Sequence, residues 1–157
     1  MMYAAVPVDT AIAVVGTPPA AGPHFTVAYL CVLIVALLPI VCAGIAKWGS
    51  LGKPRREGGF DNAHPRAWLA KQTDWRARAN AAQSNSFEAM PFFIGAVVIA
   101  HQLGARQGLL DLLAVAFVLL RVAFVALYVG NKPNLRSLVW GLGLAVNVWI
   151  MLAGVHW

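Results

Sequence analysis

From Phe25 to Ala46 the chain runs without a single charged residue, and this stretch limits its possible folds more than any other. As a helix rising 1.5 Å per residue it is about 33 Å long, enough to cross a hydrocarbon core roughly 30 Å thick. The rest of the chain agrees. With 60% hydrophobic and 11% charged residues among 157, and a mean hydropathy of +0.69, it is far more apolar than an ordinary soluble domain. A lipid-facing segment must satisfy its backbone internally, which leaves helices as the economical solution for spans of this length. The expectation is an all-α, multi-pass integral membrane protein.

Three further spans are expected at 76–103, 109–130 and 137–157, each apolar with a polar interruption: Glu88 in the first, Asp111 and Arg121 in the second, Asn147 in the third. The connections Gly104–Gly108 and Gly130–Asn134 are short and carry Gly, Asn or Pro, so the helices they join are antiparallel neighbours. A four-helix bundle over residues 25–157 follows. Residues 1–24 read as a loose N-terminal tail; with no Lys or Arg, they lack the basic start of a secretory signal peptide.

The formal net charge of +6 raises the question of nucleic acid, and the placement of the cations answers it. Eight of the 12 Lys and Arg (Lys47, Lys53, Arg55, Arg56, Arg66, Lys71, Arg76, Arg78) lie between the first two spans, and Lys132 and Arg136 lie between the last two. Only Arg106 stands in the remaining loop. The positive-inside rule then puts both basic loops in the cytoplasm and both termini outside it. Anionic membrane lipids are the expected partner of these loops, with no nucleic acid.

Two cysteines, Cys31 and Cys42, share the first span at a separation no disulfide can bridge on one helix, and read as packing residues. Asp61 and His64 in the long loop have metal-ligating chemistry but no further ligands beside them, so no metal site is expected. No Gly-x-Ser-x-Gly elbow or phosphate loop is present.

What remains is the set of polar residues carried into the membrane. In RARANAAQSNSFEAMPFF, residues 76–93, Arg78, Asn85 and Glu88 recur at intervals of seven and three, which a 3.6-residue helix places on one face. A charge in hydrocarbon costs roughly 2.5–3.5 kcal/mol on insertion scales, so Glu88 and Arg121 should face protein or a wet cavity. Tyr128 follows Arg121 by seven residues on the same face. With Arg136 at the start of the last span, these side chains gather toward the cytoplasmic side as a polar pocket. Glu88 and Arg121 either pair across two helices as a structural lock or belong to that pocket. Three arginines against one glutamate leave cationic capacity for a bound anion.

The spacing R-x4-Q-x-N-x2-E-x2-P-F, formed by Arg78, Gln83, Asn85, Glu88, Pro91 and Phe92, followed by Arg121, Tyr128 and then Arg136-Ser137, resembles the MAPEG family, the membrane-associated proteins in eicosanoid and glutathione metabolism. The likeness covers residues 25–157. It implies a homotrimer of four-helix protomers that binds glutathione, as co-substrate, between subunits near the cytoplasmic face. Arg78, Asn85, Glu88, Arg121 and Tyr128 are then glutathione-binding, Gln83 reaches a neighbouring subunit's ligand, and Arg136 is catalytic, stabilising the thiolate. The ligand's chemistry agrees, because glutathione brings two carboxylates, an ammonium and a thiol that need arginine forks, a carboxylate and a cation beside the sulfur.

Ala81 stands where glutathione-using members carry a second arginine, Ala89 and Phe124 where some carry tyrosines. The connection from Tyr128 to Arg136 is a residue shorter than in some members, and this form resembles bacterial members, hence an inner-membrane location. Two functions are open: a glutathione-dependent transferase or peroxidase acting on a hydrophobic electrophile, favoured by Arg136 and Tyr128, or a non-enzymatic binder of a lipid headgroup or another anion, favoured by Ala81. Transport is disfavoured by the absence of internal repeats.

Overall fold

A computed structural model describes residues 25–155, and these are helical with no strand among them. Four long helices, α1 (Val27–Lys47), α3 (Trp75–Gln102), α4 (Gln107–Val129) and α5 (Pro133–Leu152), are joined by a loop that holds a 3-10 turn at Arg55–Glu57 and a short α2 (Pro65–Ala70). The expected tail, residues 1–24, lies outside the described residues.

Three of these helices, α1, α4 and α5, are long and apolar enough to cross a membrane. α3 has the length but not the apolar character, because Arg78, Asn85 and Glu88 occupy its first half. The first three expected spans match the observed helices to within two residues. The last does not: α5 starts at Pro133 rather than 137 and ends at Leu152 rather than 157. Proline at a first helical position needs no backbone donor and has its φ already set for the helix, so Pro133 starts the turn that a loop reading assigned to the connection. Arg136 therefore sits in the first turn of α5. The loop between α1 and α3 also holds more structure than its turn-forming residues suggested. Pro65 opens α2 in the same way, and Trp68 is buried edge-on against Phe60 at 5.2 Å.

α3 and α4 pack on each other; α1 packs against both, and so does α5. Alanines at the contacts, Ala28, Ala79, Ala82, Ala96, Ala100 and Ala114, are wholly buried and let the helix backbones approach closely, as lipid-embedded helices require. Phe93 of α3 and Phe117 of α4 stack at 4.3 Å, nearly parallel at 9°. Cys31 and Cys42 are free and buried in this packing. Large apolar side chains such as Leu33, Leu37 and Ile40 on α1, Leu119 on α4 and Leu142 on α5 face outward, an inverted pattern suited to lipid or to further copies of the chain.

The ends are tied by polar contacts. Asp111, the charged interruption in the third span, accepts the backbone N–H of Ala28 at 2.9 Å and Gln107 Nε2 at 2.8 Å, so it satisfies one of the free donors at the start of α1. Thr26 caps the same end, accepting from Tyr29 N at 3.3 Å. Asp74 caps α3 through the N–H of Arg76 at 2.9 Å and also holds the Arg76 guanidinium at 2.7 Å. These bonds keep the Asp74 carboxyl below the usual carboxylate range, the backbone N–H first and the guanidinium after it. Gly104, with φ 76°, turns the chain after α3 in a conformation that glycine adopts without steric cost. Gly154, beyond α5, is required for space: a Cβ there would lie 2.7 Å from Leu103 Cβ and 3.0 Å from Ala100 O.

Candidate functional site

α3, α4 and α5 meet along a polar seam centred on Arg121, which α4 buries to 4% exposure. Its Nη2 donates to Asn85 Oδ1 on α3 at 3.0 Å and to Ser86 Oγ at 3.4 Å, and Ser86 in turn donates to Ala82 O at 2.8 Å. Asn85 presents its other end to Glu88, Nδ2 to Oε2 at 3.2 Å. The amide is thus oriented by its neighbours, carbonyl toward the cation and NH2 toward the carboxylate. Arg121 makes no ion pair among the described residues. The direct Glu88–Arg121 lock considered from sequence is replaced by a three-member relay, because Asn85, one turn before Glu88, occupies the space between them.

An aromatic column runs from this cation toward the basic loops. The Arg121 guanidinium carbon lies 4.4 Å from the centre of the Phe124 ring, Phe124 meets Tyr128 edge-on at 5.5 Å, and the Arg136 guanidinium carbon lies 4.2 Å from the centre of the Tyr128 ring. Two clefts flank the column. The outer, about 260 Å³, is lined by Asn85, Phe124, Tyr128, Arg136, Ser137 and Trp140. The inner, about 170 Å³, is lined by Asn85, Glu88, Phe92, Phe117, Arg121 and Asn147 among others. Asn85 and Trp140 belong to both.

Five of the seven expected site residues are thereby brought together: Asn85, Glu88, Arg121, Tyr128 and Arg136. Arg78 shares their face of α3 but lines neither cleft; its Nε donates to Val129 O at 3.0 Å and satisfies a free carbonyl at the end of α4. Gln83, half-buried, lines neither cleft either, since two residues before Asn85 means the opposite side of the helix. Three contributors were not assigned to the site from sequence. Ser86 carries no signal of its own in the sequence, Trp140 stands toward a helix end where an aromatic anchor is ordinary, and Asn147 is the polar interruption of the last span. The signal for the last two was present: Trp140 and Asn147 follow Arg136 by four and eleven residues, one helical stripe.

A model of the MAPEG family matches residues 27–156. The chain belongs to the MAPEG family. The match covers all four long helices, so both clefts and every residue of the seam fall within it. No curated protein and no solved structure matches the chain. Membership of the MAPEG family, together with three membrane-span candidates, makes this an integral membrane protein from a family that includes glutathione-dependent enzymes.

Proposed function

We propose that this MAPEG chain is a four-span homotrimer that uses glutathione to modify a hydrophobic electrophile, as a transferase or peroxidase. The observation that carries the reading is Arg136, whose guanidinium rests on the Tyr128 ring at the wall of the outer cleft. A thiol of pKa near 8.5 is mostly protonated at neutral pH, and a fixed cation with a hydroxyl beside it raises the thiolate fraction. Arg136 supplies that charge, and Tyr128 lines the place where the sulfur rests. Asn85, Glu88 and Arg121 hold the tripeptide's polar groups, Arg78 receives a carboxylate on the nitrogens not bonded to Val129, and Gln83 serves the ligand of an adjacent subunit. Neither cleft alone reaches the roughly 300–1,000 Å³ usual for a small-molecule site, and the two together do, with room for glutathione and its electrophile side by side.

The basic loops at the Arg78–Val129 end lie in the cytoplasm and the termini outside, in a bacterial inner membrane. Trimer packing falls to the outward apolar faces and to the exposed Gly141 and Ala145. Gly143, between them on the helix, is buried beside Phe117 and serves contacts within the protomer. A second reading, a non-enzymatic binder of a lipid headgroup or other anion, is favoured by the commitment of Arg78 Nε to α4 and by Ala81 at the next turn.

The test is calorimetric titration of the detergent-purified protein with glutathione, read in parallel by thiolate absorbance. Saturable heat with a rise in thiolate supports the enzyme, and heat without thiolate supports the binder. Absence of both overturns the glutathione reading.

A further inference from the structure

Asn147 stands in the last third of α5 with its side-chain oxygen unpaired. It is 2% exposed, yet among the described residues its Oδ1 accepts no hydrogen bond, and Arg121 Nε, buried in the wall of the same inner cleft, donates none. A buried polar group left unpaired costs about 1–3 kcal/mol, and a polar side chain inside a membrane helix is rarely retained without a partner. Eleven residues at 1.5 Å each put Asn147 roughly 16 Å deeper than Arg136.

We infer that the inner cleft is a second ligand site, in which Asn147 and Arg121 recognise the carbonyl or hydroxyl of an uncharged lipophilic molecule. The inference rests on the reading above only in taking that molecule as the electrophilic partner of glutathione.

Three observations specify the ligand's chemistry. The walls are apolar, with Phe92, Phe117, Leu144 and the shared Trp140 around the polar end. The charges cancel, since Arg121 and Glu88 are joined through Asn85, so a further net charge would be buried at low dielectric without compensation. At about 170 Å³ the space admits a small group or one end of a longer molecule. The amide of Asn147 can turn either its NH2 or its carbonyl to the cleft, and so can answer an acceptor or a hydroxyl. Because Asn85 and Trp140 line both clefts, a ligand seated here lies next to whatever fills the outer one. Asn147 is thus a specificity-determining residue for the lipophilic partner and contributes nothing to glutathione.

The probe is 4-fluoroacetophenone, followed by fluorine NMR line broadening on the full chain in lipid nanodiscs, against empty nanodiscs. The matched control is 1-ethyl-4-fluorobenzene, which lacks the carbonyl. The ketone should bind at least about tenfold more tightly than the hydrocarbon, and Asn147→Leu should weaken the ketone about tenfold while leaving the hydrocarbon unchanged, the scale of one hydrogen bond. Calorimetric glutathione affinity should be the same in wild type and variant. Equal binding of ketone and hydrocarbon to the wild type overturns the inference without recourse to any variant. So does a parallel loss of ketone and glutathione binding in Asn147→Leu, or a change of oligomeric state, which would make Asn147 a contact between subunits. A chain that binds no glutathione yet discriminates the ketone through Asn147 leaves the inference standing and ends the transferase reading instead.

Discussion

Arg121 on α4 donates to Asn85 on α3 at 3.0 Å, and no carboxylate pairs with it among the described residues. A neutral amide therefore carries the contact that a buried cation most needs. Asn85→Ala should lower stability by about 2 kcal/mol, the scale of a hydrogen bond to a charged group. Glu88→Gln, which keeps an acceptor for Asn85 Nδ2, should stay within about 0.5 kcal/mol of wild type. Thermal unfolding in one detergent compares the two. A large loss from Glu88→Gln would restore the direct ion pair that the relay replaces.

On the proposed function, Glu88→Gln should still weaken glutathione binding, because the lost charge is the one suited to an ammonium. A calorimetric affinity equal to wild type would remove Glu88 from the binding set while leaving its bond to Asn85 untouched.

Arg136→Leu should leave glutathione affinity within a few-fold, since Asn85, Glu88 and Arg121 remain. Thiolate absorbance and turnover with a generic electrophile should fall by roughly ten- to a thousandfold, the range for removing one charge-stabilising group. Tyr128→Leu, which removes the surface on which the guanidinium rests, should reproduce part of the loss. If thiolate forms normally in Arg136→Leu with binding intact, Arg136 is only a headgroup anchor.

Asp74→Ala should destabilise the start of α3 by about 1 kcal/mol, the usual effect of losing an N-cap. The Asp74 carboxyl titrates below its ordinary value in the folded chain. Its contribution is therefore complete above the unfolded-state value near pH 4 and is lost as pH falls through the lower folded-state value. The unfolding temperatures of wild type and variant should differ at neutral pH and converge in acid. A constant difference across that range would mean that the carboxylate charge plays no part.

Cysteines placed at Arg56 and Lys132 should react with a membrane-impermeant reagent from one side, and a cysteine at Arg106 from the other; the native Cys31 and Cys42 are buried and silent. Equal reactivity of all three from one side would contradict four crossings.

Much of this was legible in the residues. The apolar runs placed α1 and α4 closely, because a membrane span is specified by length and hydropathy; α3 has the length of a span but a polar first half. The shared face of Arg78, Asn85 and Glu88 was a matter of helical period. What the sequence hid was which partner each polar group chose. Arg78 turned to the end of α4 because a free carbonyl lay within reach, and Asn85 displaced Glu88 from Arg121 because an amide one turn nearer fits between them. Such choices depend on side-chain distances set by the packing of three helices. Asn147 was visible only as a cost; its place on the Arg136 stripe gained meaning once Arg121 and the cleft were seen beside it.

The polar first half of α3 has a consequence for how the chain is made. For the four-span arrangement, a helix that presents Arg78, Asn85 and Glu88 to lipid has little reason to leave the insertion machinery alone. Its amide finds Arg121, and its arginine finds Val129, only once α4 has been synthesised. α3 should therefore wait and enter the bilayer together with α4 as a hairpin. Ribosome-bound chains cut just after α3 should leave it accessible to the cytoplasm, and chains extended through α4 should not.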